Sequence, residues 1–209
     1  MKILFQGDSV TDAGRDRNDP HDMGCGYPKY ASAMISDAYP DTQFEFINLG
    51  ISGHRTENLV ARLQSDFVEI APDVVVLLIG VNDVWHHFSH NIETTPEYFE
   101  SNLRTLLTTI KETMGAKLVM IEPFLLYGSD KVNMLEELDE KIRIERALAQ
   151  EFADAYLPMQ AIFASETIHT PYTEFSNDGV HPNAGGAGFI AQCLLNTITP
   201  VIENLGSQE

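Results

Sequence analysis

Ser9 is the side chain in this sequence best placed to act as a nucleophile. It closes the stretch Lys2-Ile3-Leu4-Phe5-Gln6-Gly7-Asp8-Ser9, whose apolar run reads as a buried strand broken off by Gly7-Asp8. In an open α/β sheet, ligands bind beyond the carboxyl ends of the strands, where the loop after the first strand lies. A serine hydroxyl at its free pKa is a poor nucleophile. It needs a neighbouring base, usually histidine, itself oriented by a carboxylate. The loop that offers both is Asp178-Gly179-Val180-His181-Pro182, near the far end of the chain. A tight turn can present a carboxylate and an imidazole three residues apart, Gly179 relaxes the backbone between them, and Pro182 suits the first turn of a helix. Folding is therefore expected to bring Ser9, His181 and Asp178 together. The ordinary alternatives are that Asp8 or Ser9 caps a helix and that Asp178-Gly179 is a turn beside a surface histidine.

Acyl transfer also requires donors preset for a developing oxyanion. Three candidates fall at strand ends: the Ser9 amide, the Gly53 amide in Asn48-Leu49-Gly50-Ile51-Ser52-Gly53, and the Asn82 side chain in Gly80-Val81-Asn82-Asp83. Gly53 and Asn82 are otherwise turn residues. Ser52 is a rival nucleophile, but no Gly-x-Ser-x-Gly elbow occurs in the chain, and support of its own loop is the simpler role. His86, His87 and His90 have a spacing that could set two imidazoles on one metal, yet no cysteine or nearby carboxylate completes a ligand set. Trp85 and Phe88 read as pocket or packing residues. The charge run from Glu136 to Glu145 reads as a solvated helix face. Phosphate-binding glycine motifs are absent from the sequence.

The elements that must position these residues alternate. Strands are expected at Lys2–Gln6, Phe44–Leu49, Val74–Ile79, Lys117–Ile121 and Ala155–Leu157. Helical spacing recurs at Tyr27–Ala38, Leu59–Ile70, the segment after Pro96, Leu135–Phe152, Met159–Ala164 and from near Pro182 to Ile198. Strands alternating with helices imply a five-stranded parallel sheet covered on both faces, a three-layer α/β/α sandwich. The 209 residues suit a single domain spanning 1–209, with no linker and no internal repeat.

Composition narrows the partners. A net charge of −18, from 13 basic and 31 acidic residues, repels nucleic acid and anionic membranes and favours neutral or cationic ligands. No unbroken apolar run is long enough to span a membrane, and no signal peptide is apparent. Cys25 and Cys193 are too few for a disulfide framework, which points to reduced thiols and a cytoplasmic location.

Taken in order, Gly7-Asp8-Ser9, the Gly53 segment, Gly80-Val81-Asn82-Asp83 and Asp178-Gly179-Val180-His181-Pro182 resemble the four blocks of the SGNH (GDSL-type) hydrolases. The resemblance runs from the first strand to the last helix. It implies a flavodoxin-like sandwich with Ser9 as nucleophile, His181 as base, Asp178 as its orienting partner, and an oxyanion hole from Ser9, Gly53 and Asn82, with no metal or other cofactor. Thr11-Asp12-Ala13-Gly14-Arg15, Gly24-Cys25-Gly26-Tyr27 and Asn82-Asp83-Val84-Trp85 are similar to intracellular acetylxylan esterases, some of which form homo-oligomers. The chain departs from that subfamily at Phe175-Ser176-Asn177, which leaves the acceptor sugar open.

What the resemblance implies is hydrolysis of small acyl esters, above all acetyl groups on an oligosaccharide such as a xylo-oligosaccharide. Tyr27, Trp85 and Arg55 are the candidate substrate-binding residues; Tyr27 and Trp85 either stack on a sugar face or fill the core. A histidine base with an ordinary pKa of ~6.5 implies activity that falls below neutrality. A thioesterase or lysophospholipase of the same fold would need an extended apolar groove, and no apolar lid segment is evident. A non-catalytic carbohydrate-binding protein would not need Ser9, Asn82, Asp178 and His181 together.

Overall fold

The computed structural model describes residues 1–207. Strands β1 (Lys2–Gly7), β2 (Glu45–Asn48), β3 (Val74–Leu78), β4 (Lys117–Ile121) and β5 (Ala155–Leu157) form one parallel sheet in the order β2-β1-β3-β4-β5. Eight α-helical segments accompany them among the described residues: α1 (Ser9–Asp12), α2 (Tyr27–Ala38), α3 (Thr56–Ala61), α4 (Val81–His90), α5 (Pro96–Thr108), α6 (Leu135–Phe152), α7 (Met159–Glu166) and α8 (Ala184–Gly206).

The continuous apolar strands follow from burial on both faces. Successive side chains alternate sides, so Ile3, Phe5, Val74, Val76, Val119 and Ile121 pack in one core with Ala31 and Ile35 of α2 and Ile190 and Leu194 of α8. Leu4, Val75, Leu77, Leu118 and Met120 point the other way, onto Leu59 of α3 and Phe99, Leu103 and Leu106 of α5. Fully burying one such side chain contributes roughly 1.5–3 kcal/mol, so substitutions that flip the pattern on a central strand are costly. The three-layer α/β/α sandwich with five parallel strands agrees with the sequence reading.

β1 pairs on both sides, with Leu4 opposite Ile47 of β2 and Val75 of β3. The strand order therefore reverses at β1, and a crevice opens at its carboxyl end, where ligands bind in folds of this kind. Three loops meet there: the turn after β1, the loop after β2 and the start of α4 after β3.

The structure departs from the sequence reading in four places. The stretch after β3 is helical from Val81 to His90, so Asn82 sits in the first turn of α4. α8 begins at Ala184 rather than near Pro182, because the Asn183 side chain accepts the Gly186 N–H at 3.1 Å and fixes the helix start. The Glu136–Glu145 run is not wholly solvated. Lys141 and Glu145 share the inward stripe of α6 with Leu138, Ile142 and Leu148, and burial, with the Glu122 charge adding to it, pushes the Glu145 carboxyl well above the usual range. Finally, α8 alone among the described residues is long and apolar enough, by length and composition, to cross a membrane. Its scattered Gly, Thr and Asn residues hid this from a search for an unbroken run, while Ile190, Leu194 and Ile198 are buried in the core.

Candidate active site

Asp8 follows β1 and caps the short helix α1, its Oδ1 accepting the Val10 N–H at 3.0 Å. The cap turns Ser9 out of the strand line towards the crevice. Ser9 Oγ lies 2.9 Å from His181 Nε2, and His181 Nδ1 lies 2.7 Å from Asp178 Oδ2. Capping and placement of Ser9 are thus one arrangement rather than alternatives.

The turn that holds Asp178 and His181 is stiffened by its own hydrogen bonds. Asp178 Oδ1 accepts the N–H groups of Val180 at 3.0 Å and His181 at 2.8 Å. Gly179 sits at φ +84°, in the left-handed region, and a Cβ there would fall 2.3 Å from Ser129 Oγ. Ser176 is fully buried beneath the turn, donating its hydroxyl to the His181 carbonyl at 2.7 Å and accepting the Gly179 N–H at 2.9 Å. Burial alone would raise the Asp178 carboxyl, but bonds from the His181 ring and from the His181 and Val180 N–H groups, together with the His181 charge, hold it at about 2. Asp178 is therefore ionised at every ordinary pH.

A small cleft of about 190 Å³ opens over Ser9 and His181, with Gly53 and Asn82 also lining it. Among the described residues, the Ser9 and Gly53 N–H groups have no protein acceptor. Asn82 Nδ2 donates one hydrogen to the His54 carbonyl at 3.1 Å, which leaves the second free. Gly53 reaches its place through φ +81°, a left-handed backbone conformation.

The loop bearing Gly53 is held from several sides. Asn48 Nδ2 donates to the Thr11 carbonyl at 2.8 Å, Arg15 Nε to the Gly50 carbonyl at 3.0 Å, and Arg62 Nη1 to the Leu49 carbonyl at 2.8 Å. The Ser52 N–H donates to Asp12 Oδ2 at 2.8 Å. Donors fixed in this way need no reorganisation when negative charge develops beside them. Sequence reasoning missed Asp12 and Ser176 as supports; each is a short polar residue close to a candidate residue, but its partner lies in a contact that only the fold creates.

Buried carboxyls surround the site. Burial pushes Asp8 up to about 7, opposed by the Val10 N–H and the His181 charge and reinforced by Asp83. Its Oδ2 has no partner among the described residues. Asp83 accepts the Thr56 N–H at 3.0 Å and the Thr56 hydroxyl at 2.7 Å, joining α4 to the start of α3, and burial pushes it up to about 6.

One of the three expected substrate contacts, Tyr27, is corrected. Tyr27 is fully buried, its ring edge-on to Phe5 at 5.9 Å and its hydroxyl 3.2 Å from Thr11 Oγ1, so it is a core residue because the inward stripe of α2 begins with it. Arg55 lies behind the cleft wall, its guanidinium bound to Glu57 and donating to Thr94 Oγ1 at 3.0 Å, while its charge acts on His86, which lines the cleft. Trp85 does line the cleft, with its ring centroid 5.7 Å from that of His181. Ser52 lines it as well, but among the described residues its hydroxyl has no histidine partner. Of the three histidines on α4, His86 and His90 face the cleft, whereas His87 turns away to Glu137 at 2.8 Å. No three His, Cys, Asp or Glu side chains among the described residues converge as a metal-ligating group.

This order of parts is shared with known proteins. The GDSL-like lipase/acylhydrolase family model matches residues 5–188. The chain belongs to that family. Membership makes it a hydrolase of carboxylic esters. Among its relatives, the acetylxylan esterase of Geobacillus stearothermophilus is 31% identical over 94% of this chain and 93% of its own. The crystal structure of that organism's acetylxylan esterase Axe2 superposes with a TM-score of 0.86 at 28% identity, covering 93% of this chain and 92% of the other. A protein of Parabacteroides merdae described as a GDSL-like lipase reaches 0.89 at 35% identity, over 93% and 94% of the two chains. The family is broad: thioesterase 1/protease 1/lysophospholipase L1 of Escherichia coli K12 is 26% identical over 87% of this chain and 82% of its own.

Proposed function

We propose that the protein is a serine esterase that removes small O-acyl groups, acetyl first among them, from carbohydrate. The observation that carries this reading is the hydrogen-bonded line from Ser9 through His181 to Asp178, opening onto a cleft shared with Gly53 and Asn82. His181 Nε2 takes the Ser9 proton as Oγ attacks the ester carbonyl, and Asp178 fixes the ring and stabilises the imidazolium. The tetrahedral oxyanion rests on the Ser9 and Gly53 N–H groups and the Asn82 amide. Collapse expels the alcohol, which receives the proton from His181 and leaves acyl-Ser9. Water then attacks that ester, giving its proton to His181; release of the carboxylic acid returns the proton to Ser9.

The acyl size and the alcohol rest on separate support. A cleft of about 190 Å³ suits an acetyl group better than a long chain, and the acetylxylan esterase of G. stearothermophilus matches over nearly its whole length. We also propose a reducing, cytoplasmic setting, which the two free thiols, Cys25 and Cys193, favour.

The test is hydrolysis of p-nitrophenyl acetate and octanoate by the wild-type protein and by Ser9→Ala. Acetate is expected to be the better substrate, with turnover abolished in the variant. Retained turnover in Ser9→Ala would assign the nucleophile elsewhere, and a preference for octanoate would favour the thioesterase or lysophospholipase reading. Acetylated xylan fragments set against acetylated glucosamine then separate candidate acceptors.

A further inference from the structure

One face of α4 is unused by the chemistry above yet borders it. Trp85, His86, Ser89 and His90 line the same cleft as Ser9 and His181. The two imidazoles stand one helical turn apart with ring centroids separated by 5.2 Å. We propose that His86, Ser89 and His90 form the subsite for the alcohol half of the ester, selecting alcohols that carry free hydroxyls next to the acylated one. This rests on the esterase reading and adds to it the residues that recognise the leaving group.

The hydrogen-bond bookkeeping fixes what this face offers. Ser89 Oγ lies 2.8 Å from the Trp85 carbonyl, which can only accept, so the single hydroxyl proton is committed there. Ser89 Oγ also lies 2.6 Å from His90 Nδ1. That contact must then use Nδ1–H as the donor, and in the neutral ring Nε2 is left bare as an acceptor. Burial lowers the His86 pKa, the Arg55 charge acts in the same sense and Glu57 opposes it, so the neutral ring is favoured. A neutral imidazole both donates and accepts. The face therefore presents acceptors for hydroxyl protons.

Rival alcohols fit less well. A phosphate-bearing headgroup would call for a lysine or arginine, and none lines the cleft among the described residues. Arg55 is engaged by Glu57 and Thr94, while Lys131 Nζ lies 5.7 Å from the Trp85 ring and is paired with Asp130. A plain alkyl alcohol would leave the histidine acceptors without partners.

The experiment compares kcat/KM for two esters, a methyl pentoside carrying one acetyl group with its other hydroxyls free, and its counterpart lacking the hydroxyl beside the ester. p-Nitrophenyl acetate serves as the reference for chemistry and folding. Each neutral hydrogen bond is worth roughly three- to tenfold in kcat/KM, so the wild type should favour the hydroxylated ester by about that factor or more. His86→Ala with His90→Ala should reduce the preference to within about twofold, and His86→Gln with His90→Gln should restore part of it. His87→Ala, whose side chain faces Glu137, should discriminate like the wild type. The single variant His90→Ala, at an exposed position, tests the same point with least risk to folding. Unchanged discrimination in the alanine variants would overturn the subsite, as would equal turnover of both esters, or of neither, by a wild type active on p-nitrophenyl acetate. A wild type inactive on all three esters, or a Ser9→Ala variant still active, would instead sink the esterase reading on which the subsite depends.

Discussion

The Asp12 carboxylate accepts the Ser52 N–H at 2.8 Å, which locks the turn carrying Ser9 to the loop carrying Gly53. Asp12 is buried, ends α1 three residues after Ser9, and is also paired with Arg17. Its position suggests that it sets the distance between nucleophile and oxyanion donor without touching substrate. Displacement of a reacting group by about 1 Å can cost on the order of 10²-fold in rate. Asp12→Ala is expected to lower kcat by about 10- to 100-fold with KM within about threefold, and Asp12→Asn, which keeps an acceptor, to lose less. Rates are to be counted per titratable active site. A merely structural role would change the number of active sites and leave kcat per site intact.

Asn82 has a separable contribution. One amide hydrogen goes to the His54 carbonyl at 3.1 Å, so the side chain is aimed before any substrate arrives. Removing one oxyanion donor typically costs about 2.7–4 kcal/mol of barrier, or roughly 10²–10³ in kcat. Asn82→Ala should show that loss with KM little changed. A full-rate variant would remove Asn82 from the oxyanion site.

The sheet was legible because parallel strands buried on both faces are written as unbroken apolar runs, and Val74–Ile79 shows this most clearly. Ser9, Gly53, Asn82, Asp178 and His181 were legible because each follows a strand or precedes the last helix, where backbone geometry already restricts residue type. α4 was less so, since Val81–His90 mixes polar and aromatic residues whose periodicity serves a cleft wall on one side and a small core on the other. Tyr27 was misread for a related reason. Residue type tells that a phenol can bind a sugar, but not that Phe5 and Thr11 enclose this one. The inward Lys141 and Glu145 show the same limit, because a charged residue on a buried stripe breaks the pattern used to find the stripe.

Asp8 makes stability depend on pH. Its folded carboxyl titrates at about 7 because of burial, against 3.8 for the ordinary side chain. The folded state therefore binds more protons than the unfolded state between those values, and stability falls as pH rises through that window. The full effect is on the order of 4 kcal/mol. Asp83, pushed by burial to about 6, acts in the same direction, whereas Asp178, held at about 2, acts oppositely and only as pH drops below the usual carboxylate range. Asp8→Asn keeps the shape and the capping acceptor but cannot ionise. The difference in melting temperature between pH 5 and pH 8 should shrink in this variant, with the pH 8 value rising. An unchanged difference would show that Asp8 titrates normally.

Ser176 tests whether the turn, rather than the mere presence of Asp178 and His181, makes the site. Its hydroxyl is fully buried and serves the His181 carbonyl and the Gly179 N–H together. Ser176→Ala leaves both groups unpartnered, which typically costs about 1–3 kcal/mol. In a chain of this size that lowers the melting temperature by roughly 2–4 °C per kcal/mol. The same loss frees the segment that aims the imidazole at Ser9, so kcat should fall about tenfold even well below the melting transition. Activity equal to wild type at low temperature, alongside a lowered melting point, would mean that Ser176 supports the fold and that the bonds from Asp178 Oδ1 to the Val180 and His181 N–H groups suffice to hold His181 in line.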